Sequence, residues 1–454
     1  MIKDFAEKLL GRALEKGFAD AEIYAAGGNS LSISILNGEI DKYQNSSSRG
    51  ISFRGTYNGK MGYAYSERID ADGGAADEII GVIISEAMQN SEILEEKEQD
   101  KLFAGFAGEN YAKVSTFYEE LRGVPTEDRI KAALALEKTA KAGEYIAAVD
   151  HCGVSYGEGS TLIMNTRGLN LEHRSNSASA SVSARAVRSG GAEAETKVGG
   201  EWWNGIRWGD FDPEKLGREA ASDAAKKLGA EQAASGKYKI VMKNTAFANL
   251  VSTYSSVILA DAAQKGLSLL AGKLGEKIAS ENFTLLDAPL YPEREQPFDN
   301  EGVATYDKPV IEGGVFRTFL HNLKTAAKDG VKSTGNASGG YRSPIRVSPR
   351  NLYVKPGELS RGELIKQAGD GLYITSLAGL HSGTNAVSGD FSLLAEGFII
   401  ENGEIARPVE QITVAGNFFD VLKDIEAVAN EDDLRWGSMG SPAVLLGGLN
   451  VAGS

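Results

Sequence analysis

The chain has 454 residues, 42% hydrophobic and 24% charged, and its 62 acidic against 48 basic side chains leave a net charge of −14. Such a surface repels a phosphate backbone, which argues against direct nucleic-acid binding, and no apolar run approaches the roughly 20 residues of a membrane span. The lone Cys152 excludes an internal disulfide framework and suits a reducing cytoplasm, and the opening MIKDFAEKLL lacks the basic-then-apolar order of a secretory leader.

In chain order, residues 4–16 read as a helix, apolar at Phe5, Leu9, Leu10 and Ala13, with Gly17 at its C-cap. Alternating runs follow at 21–25, 30–36, 49–57 and 60–65, with Asn37-Gly38 and Asn58-Gly59 as hairpin turns. In SLSISIL (30–36) the period of two puts Leu31, Ile33 and Ile35 on one face and serines on the other. Residues 72–90 read as a helix across that sheet, capped by Asp70 or Asp72, and EEKEQDK (95–101) as a solvated linker. A helix is expected at 126–141, with Thr126 as N-cap and Arg129 in place of the capping-box acid. Strands resume at 145–149, 160–165, 169–174 and 178–187, and Asp212-Pro213 open another helix that ends near Leu228-Gly229. The Ala/Ser/Gly stretch 233–236 is read as a boundary between an N-terminal α+β domain (1–235) and a β-rich C-terminal domain (236–454). Beyond it come a strand at 238–242, a helix at 245–264, a short helix at 360–368, a strand at 397–401 and a hairpin at Asn402-Gly403. Grouped rather than alternating helices among many strands argue an α+β fold, and 54 glycines against 11 prolines suit many tight turns.

The segment 377–416 holds a Gly/Ser/Asn-rich loop followed by the Asn-Gly hairpin, with the run Gly383-Thr384-Asn385-Ala386-Val387-Ser388-Gly389-Asp390-Phe391-Ser392. It resembles the G-x-N-x-V-[ST]-G-D-[YF]-S run of the TldD/PmbA family, the "modulator of DNA gyrase" proteins, and is closer to the PmbA (TldE) branch. The meander at 36–70, SLLAGKLGEKIAS (268–280), PFDNEGVAT (297–305), VIEGGVFRTFL (310–320) and STGNASG (333–339) follow in the family's order. Leu393-Leu394 depart from the Arg-Gly usual there.

The TldD branch resembles zinc peptidases: a helix carries H-E-x-x-x-H, two imidazoles on one face with a glutamate as general base, and a C-terminal cysteine resembles a third ligand. The corresponding helix here, 246–266, reads AFANLVSTYSSVILADAAQKG, and 251–256 stand roughly where the motif would be, without histidine or glutamate. The C-terminal RWGSMGSPAVLLGG (435–448) has no cysteine, and none of the four histidines, His151, His173, His321 and His381, has another within two helical turns. No catalytic or metal-ligating residue is therefore assigned to this chain. The resemblance implies a TldD-type partner subunit that supplies zinc, with unfolded peptides as substrates; the alternative is a homodimeric peptide- or protein-binding regulator. His381, Asn385, Ser388, Gly389, Asp390 and Phe391 are the expected substrate contacts, with the loop 379–390 and the strand after it offering an edge to an added peptide strand.

Other patterns carry less. His381 near Asp390 could form an acid–base pair, though a loop histidine is more often a plain polar contact. His151 and Cys152, neighbours in a strand, point to opposite faces. GVSYG (153–157) has the spacing of a nucleophile elbow but no helix after it, so Ser155 is read as a turn residue. GLSLLAGK (266–273) misses the spacing of a phosphate loop, and IDADGGAADEI (69–79) lacks the third oxygen ligand and the sixth-place glycine of a calcium loop. Trp202, Trp203 and Trp208 suit a core or an interface, and Asp299 and Glu301 suit a hairpin cap or a ligand contact.

Overall fold

Each Asn-Gly pair turns a hairpin. Asn37-Gly38, Asn58-Gly59 and Asn402-Gly403 have φ of 56° and 82°, 48° and 77°, and 53° and 78°, the positive values that match the twist of the flanking strands. The structure, a computed structural model, describes residues 2–69, 74–93, 102, 111–188, 194–431 and 439–454. The expected linker 95–101 and the caps Asp70 and Asp72 lie outside these residues.

The first half runs α1 (Ile2–Glu15), β1 (Asp20–Leu36), β2 (Glu39–Tyr57), β3 (Lys60–Ser66), α2 (Gly74–Ile93), α3 (Glu119–Arg122), α4 (Thr126–Lys141), β4 (Ile146–Asn165), β5 (Asn170–Arg188), β6 (Glu195–Gly205) and α5 (Pro213–Lys226). The strands form one antiparallel sheet in the order β3-β2-β1-β4-β5-β6. Three pairs of expected strands are single long ones. Residues 21–25 and 30–36 join in β1, 145–149 and 160–165 in β4, and 169–174 and 178–187 in β5. Gly28, between the first two runs, serves close approach rather than a break: a Cβ on it would collide with the carbonyl of Glu158 on β4. Ser155 is consequently not in a turn but in mid-strand, opposite Ser32 and Ser179.

One face of this sheet is covered in two places. α1 and α2 pack Phe5, Leu9, Ile80 and Ile83 onto Ile23, Ile51 and Phe53. α4 and α5 pack Ala133, Leu136 and Ala220 onto Ile33, Ile35, Val154 and Val182, so the apolar face of SLSISIL is buried as its period requires. The N-cap of α4 is Pro125, not Thr126; Arg129 turns inward instead, donating to the Leu121 carbonyl at 2.8 Å and lying 4.3 Å from the Tyr156 ring. Asp212 caps α5 through the Lys215 amide, with Pro213 at the first helical position.

The second half runs β7 (Gly236–Met242), α6 (Asn244–Thr253), α7 (Ala260–Gln264), β8 (Leu285–Asp287), β9 (Lys308–Glu312), β10 (Val315–Phe316), α8 (Leu323–Asp329), β11 (Ala337–Ser338), β12 (Arg346–Val347), β13 (Leu352–Val354), α9 (Arg361–Ala368), β14 (Gly371–Ala378), β15 (Asp390–Glu401), β16 (Glu404–Asn417), α10 (Phe418–Lys423), β17 (Ile425–Val428), β18 (Met439–Gly440) and β19 (Val444–Ala452). Strands pair as β16-β15-β14-β7-β19-β17, and β16 also pairs with β19, which closes the first five into a ring. A second sheet, β10-β9-β8-β13-β18, shares its core, and α9 covers the other face of the ring with Leu364 and Ile365. The fold is α+β.

Candidate functional site

The helix expected at 245–264 is broken. α6 ends at Thr253, a 3-10 turn covers Ser255–Ile258, and α7 resumes at Ala260. The break follows from what the side chains need. Tyr254 is fully buried, its ring stacked 4.4 Å from Phe418 and its hydroxyl donating to the Asp390 carbonyl at 2.8 Å. Val251, Val257 and Ile258 enter the same core, and the chain next pairs Leu259 with Leu320. Burial pushes the Tyr254 hydroxyl up to about 12, so it stays neutral. Positions 251–256 therefore form a wall with two buried side chains, Val251 and Tyr254, and four small hydroxyl side chains, of which Ser252 and Ser256 are exposed; it offers zinc neither imidazole nor thiolate nor carboxylate. Among the described residues no group of three His, Cys, Asp or Glu side chains is placed to hold a metal ion. Zinc does not fit the residues at 251–256.

The loop before β15 is a self-bonded turn resting on that wall. Asn385 Oδ1 accepts from the amides of Val387 and Ser388, its own amide donates to the Asp390 carbonyl, and Gly389 (φ 84°) donates back to the Asn385 carbonyl. Asn417 Nδ2 bridges the Ser388 carbonyl and the Asp390 carboxylate, both at 2.9 Å. Hydrogen bonds from Asn417 and Ser388 hold the Asp390 carboxyl below the usual range. Asn385, Ser388, Gly389 and Asp390 are thus brought together; His381 is exposed at the start of the loop, and Phe391 turns its ring into the core, 5% exposed. The edge expected in the strand after the loop does not exist. β15 bonds to β14 on one side and β16 on the other, so its backbone groups are already used.

A cleft of about 740 Å³ lies elsewhere, on the face of the N-terminal sheet away from its helices. Strand register builds its floor. Ser46, Ser30, Gly157 and Ser177 stand in one row across β2, β1, β4 and β5, and Ser48, Gly28, Gly159 and Ser175 in the next. Above the floor stand Arg294, Glu295 and Gln296 from the segment before PFDNEGVAT, with Arg350. Arg350 donates to Gln296 Oε1 at 3.1 Å, Asn300 Oδ1 at 2.9 Å and the Ala337 carbonyl. His173 borders the cleft; burial lowers its pKa, which favours the neutral ring.

At the closed end of this face a charged cluster joins the two halves of the chain. Arg54 bonds Glu22 at 2.5 Å and lies 3.6 Å from Glu301, which also accepts from the Leu323 amide at the start of α8. Burial, with the Asp299 charge adding to it and Arg54 opposing it, pushes the Glu301 carboxyl up to about 8. Burial raises Asp299 as well, but three backbone amides, of Glu301, Val303 and Ala337, donate to it. Those amides favour its charge, so the proton of the pair sits on Glu301. Both acids are structural caps rather than exposed ligand contacts.

The remaining candidates are placed simply. Cys152 is buried, its thiol pushed up to about 12 by burial, while His151 on the opposite face bonds the Ser181 hydroxyl. Trp203 stacks on Phe211 at 4.8 Å with Trp208 edge-on at 6.4 Å, so this pair is core packing. His321 is 5% exposed. Sequence reasoning missed the cleft floor, although SNSASASVS (175–183) alternates small hydroxyls with buried residues.

Sequence profiles of one family match most of the chain: PmbA/TldA metallopeptidase domain 1 over 21–90, its central domain over 119–228 and its C-terminal domain over 235–453. An uncharacterized Methanocaldococcus jannaschii protein is 30% identical over 97% of this chain and 98% of its own length. A Haemophilus influenzae protein named as a metalloprotease PmbA homolog is 31% identical, but over 53% of this chain and 51% of its own. Among solved structures, a Thermotoga maritima protein labelled as a proposed modulator of a DNA gyrase has a TM-score of 0.90 at 32% identity, with 100% of both chains covered. TldE from Thermococcus kodakarensis, at 23% identity and a TM-score of 0.88 over 99% of this chain and 100% of its own, shares the fold.

Proposed function

The chain belongs to the PmbA/TldD metallopeptidase family, and from that premise we propose that it is the PmbA/TldE-type, non-catalytic subunit of a peptidase complex. Its partner is a TldD-type chain that carries the zinc, the reacting water and the general base, and the substrates are unfolded peptides. The observation that supports this reading is the wall at 251–256, which the resemblance aligns roughly with the family's metal-binding motif: it carries Tyr254 stacked on Phe418 and residues without metal-binding chemistry. Removing imidazoles from such a position abolishes water activation, yet leaves the surrounding fold free to bind and enclose a substrate. The loop containing His381, Asn385, Ser388, Gly389 and Asp390 contributes polar groups to that enclosure, and Phe391 supports it from the core.

The test is co-expression with a TldD-type chain bearing H-E-x-x-x-H. A co-purifying complex is expected, whose cleavage of an unfolded peptide stops with a chelator and with substitution of the partner's histidines. The isolated chain should carry no stoichiometric zinc and cleave nothing. A chain that alone binds one equivalent of metal and turns over peptide overturns the proposal. A stable homodimer that binds peptide and ignores the partner replaces it with the regulator reading.

A further inference from the structure

We infer that the cleft on the serine–glycine face of the N-terminal sheet is the groove in which this chain holds an extended, unfolded polypeptide. This deepens the peptide-handling reading given above and rests on it for the class of ligand.

The floor is the first argument. Two adjacent rows, Ser46–Ser30–Gly157–Ser177 and Ser48–Gly28–Gly159–Ser175, cross four strands with nothing larger than a hydroxymethyl group. At about 4.8 Å between strands the floor is roughly 14 Å wide. Hydroxyls both donate and accept, so such a floor meets the alternating N–H and C=O groups of any polypeptide without side-chain pockets that would select a sequence. The floor continues past the cleft as the row Ser32–Ser155–Ser179, an open track for an extended chain to enter along.

Gly157 is the second argument. Its φ is not positive, and a Cβ built on it meets no atom within 4 Å. The fold therefore makes no demand for glycine there. Gly28, where a Cβ collides with the Glu158 carbonyl, is different. The space over Gly157 is the cleft itself, and a side chain there would stand in the path of a ligand.

The third argument is the roof. Arg350 Nε and one carboxylate oxygen of Glu295 are closed off from solvent with no hydrogen-bond partner among the described residues. Both residues line the cleft, beside Arg294 and Glu293. Those two atoms lie behind the surface, out of a ligand's reach, while the guanidinium and carboxylate side chains around them give the wall both signs of charge. Its mixture of signs suits a neutral backbone, and its carboxylates disfavour a phosphodiester chain.

The experiment uses the full-length chain and a fluorescein-labelled 20-residue unstructured peptide of Gly, Ala, Ser and Thr, with binding read by anisotropy and maltoheptaose as a competitor. Gly157→Trp is expected to weaken binding about tenfold or more (about 1.4 kcal/mol per decade), with an unchanged thermal midpoint. Gly81→Trp, on the exposed face of α2 where a Cβ also meets nothing within 4 Å, should bind as the parent does. A benzophenone in the peptide should crosslink to the 291–296 segment. Parent-like binding by Gly157→Trp, absence of peptide binding by the parent, or displacement by maltoheptaose overturns the groove. Co-purification with a TldD-type chain is scored on the same variants. A complex that forms while peptide binding ignores Gly157→Trp sinks the groove alone, and peptide binding lost in Gly157→Trp without any complex sinks the subunit reading alone.

Discussion

Glu301 sits where two halves of the chain meet, facing Arg54 from β2, with Glu22 and Asp299 as the other nearby carboxylates and Arg350 beside Asp299. Three acids share two guanidiniums, and the surplus charge is relieved by a proton on Glu301. Its folded pKa of about 8 lies above the ordinary 4.5, so between those values the folded chain holds a proton that the unfolded chain has released. Stability from this group is thus full below about 4.5 and is lost as pH rises toward 8. Glu301→Gln should flatten that fall: urea unfolding at pH 5 and pH 8 should show a gap for the parent larger by a few kcal/mol than for the variant. Equal gaps would mean that Glu301 does not hold the proton. The acidic turn was visible in PFDNEGVAT, but which acid is charged was not, because Arg54 and the α8 amide come from distant sequence.

Among the elements, hairpins were the most legible because their signal is local. Asn-Gly needs only its own two φ angles to specify the turn. What holds the first hairpin in place is not local: Glu137 of α4, 3% exposed, accepts from the amides of Asn37 at 2.6 Å and Gly38 at 2.7 Å. This carboxylate anchors the β1–β2 turn to the helix that covers it. Glu137→Ala should cost about 1.5–3 kcal/mol, the range for hydrogen bonds to a charged group, and should speed hydrogen exchange at Asn37 and Gly38 while the β2–β3 turn at Asn58 is unaffected. Strand lengths were misread for a related reason. Glycine and serine inside β1, β4 and β5 look like breaks along the chain, yet they stay in the strand ladder, and at Gly28 the small residue lets neighbouring backbones approach. The α6–α7 break was equally invisible, since its cause, Tyr254 stacking on Phe418, joins residues far apart in sequence.

At the scale of the molecule, the ring β16-β15-β14-β7-β19 leaves no free edge in the segment from which sequence suggested one. Backbone groups for an added strand must lie elsewhere, and the outer side of β2 before Ile51, where β3 begins to pair, is uncovered by the sheet. The wall at 251–256 has a consequence for the whole chain as well. A fold held by stacked aromatics and aliphatic burial there, rather than by a metal clip, should have the same thermal midpoint with and without a strong chelator. A drop of several degrees on chelation would reveal a structural ion.

The order of hairpins, the alternation that buries Ile33 and Ile35, the cap of α5 and the absence of metal-binding residues at 251–256 were all fixed by the sequence itself, because each depends on neighbours within a few positions. The closure of the ring, the union of short runs into long strands and the serine rows of the cleft were decided only in three dimensions. A row of that floor is made from four strands that meet through register, and register is set by pairing partners that can lie more than a hundred residues apart.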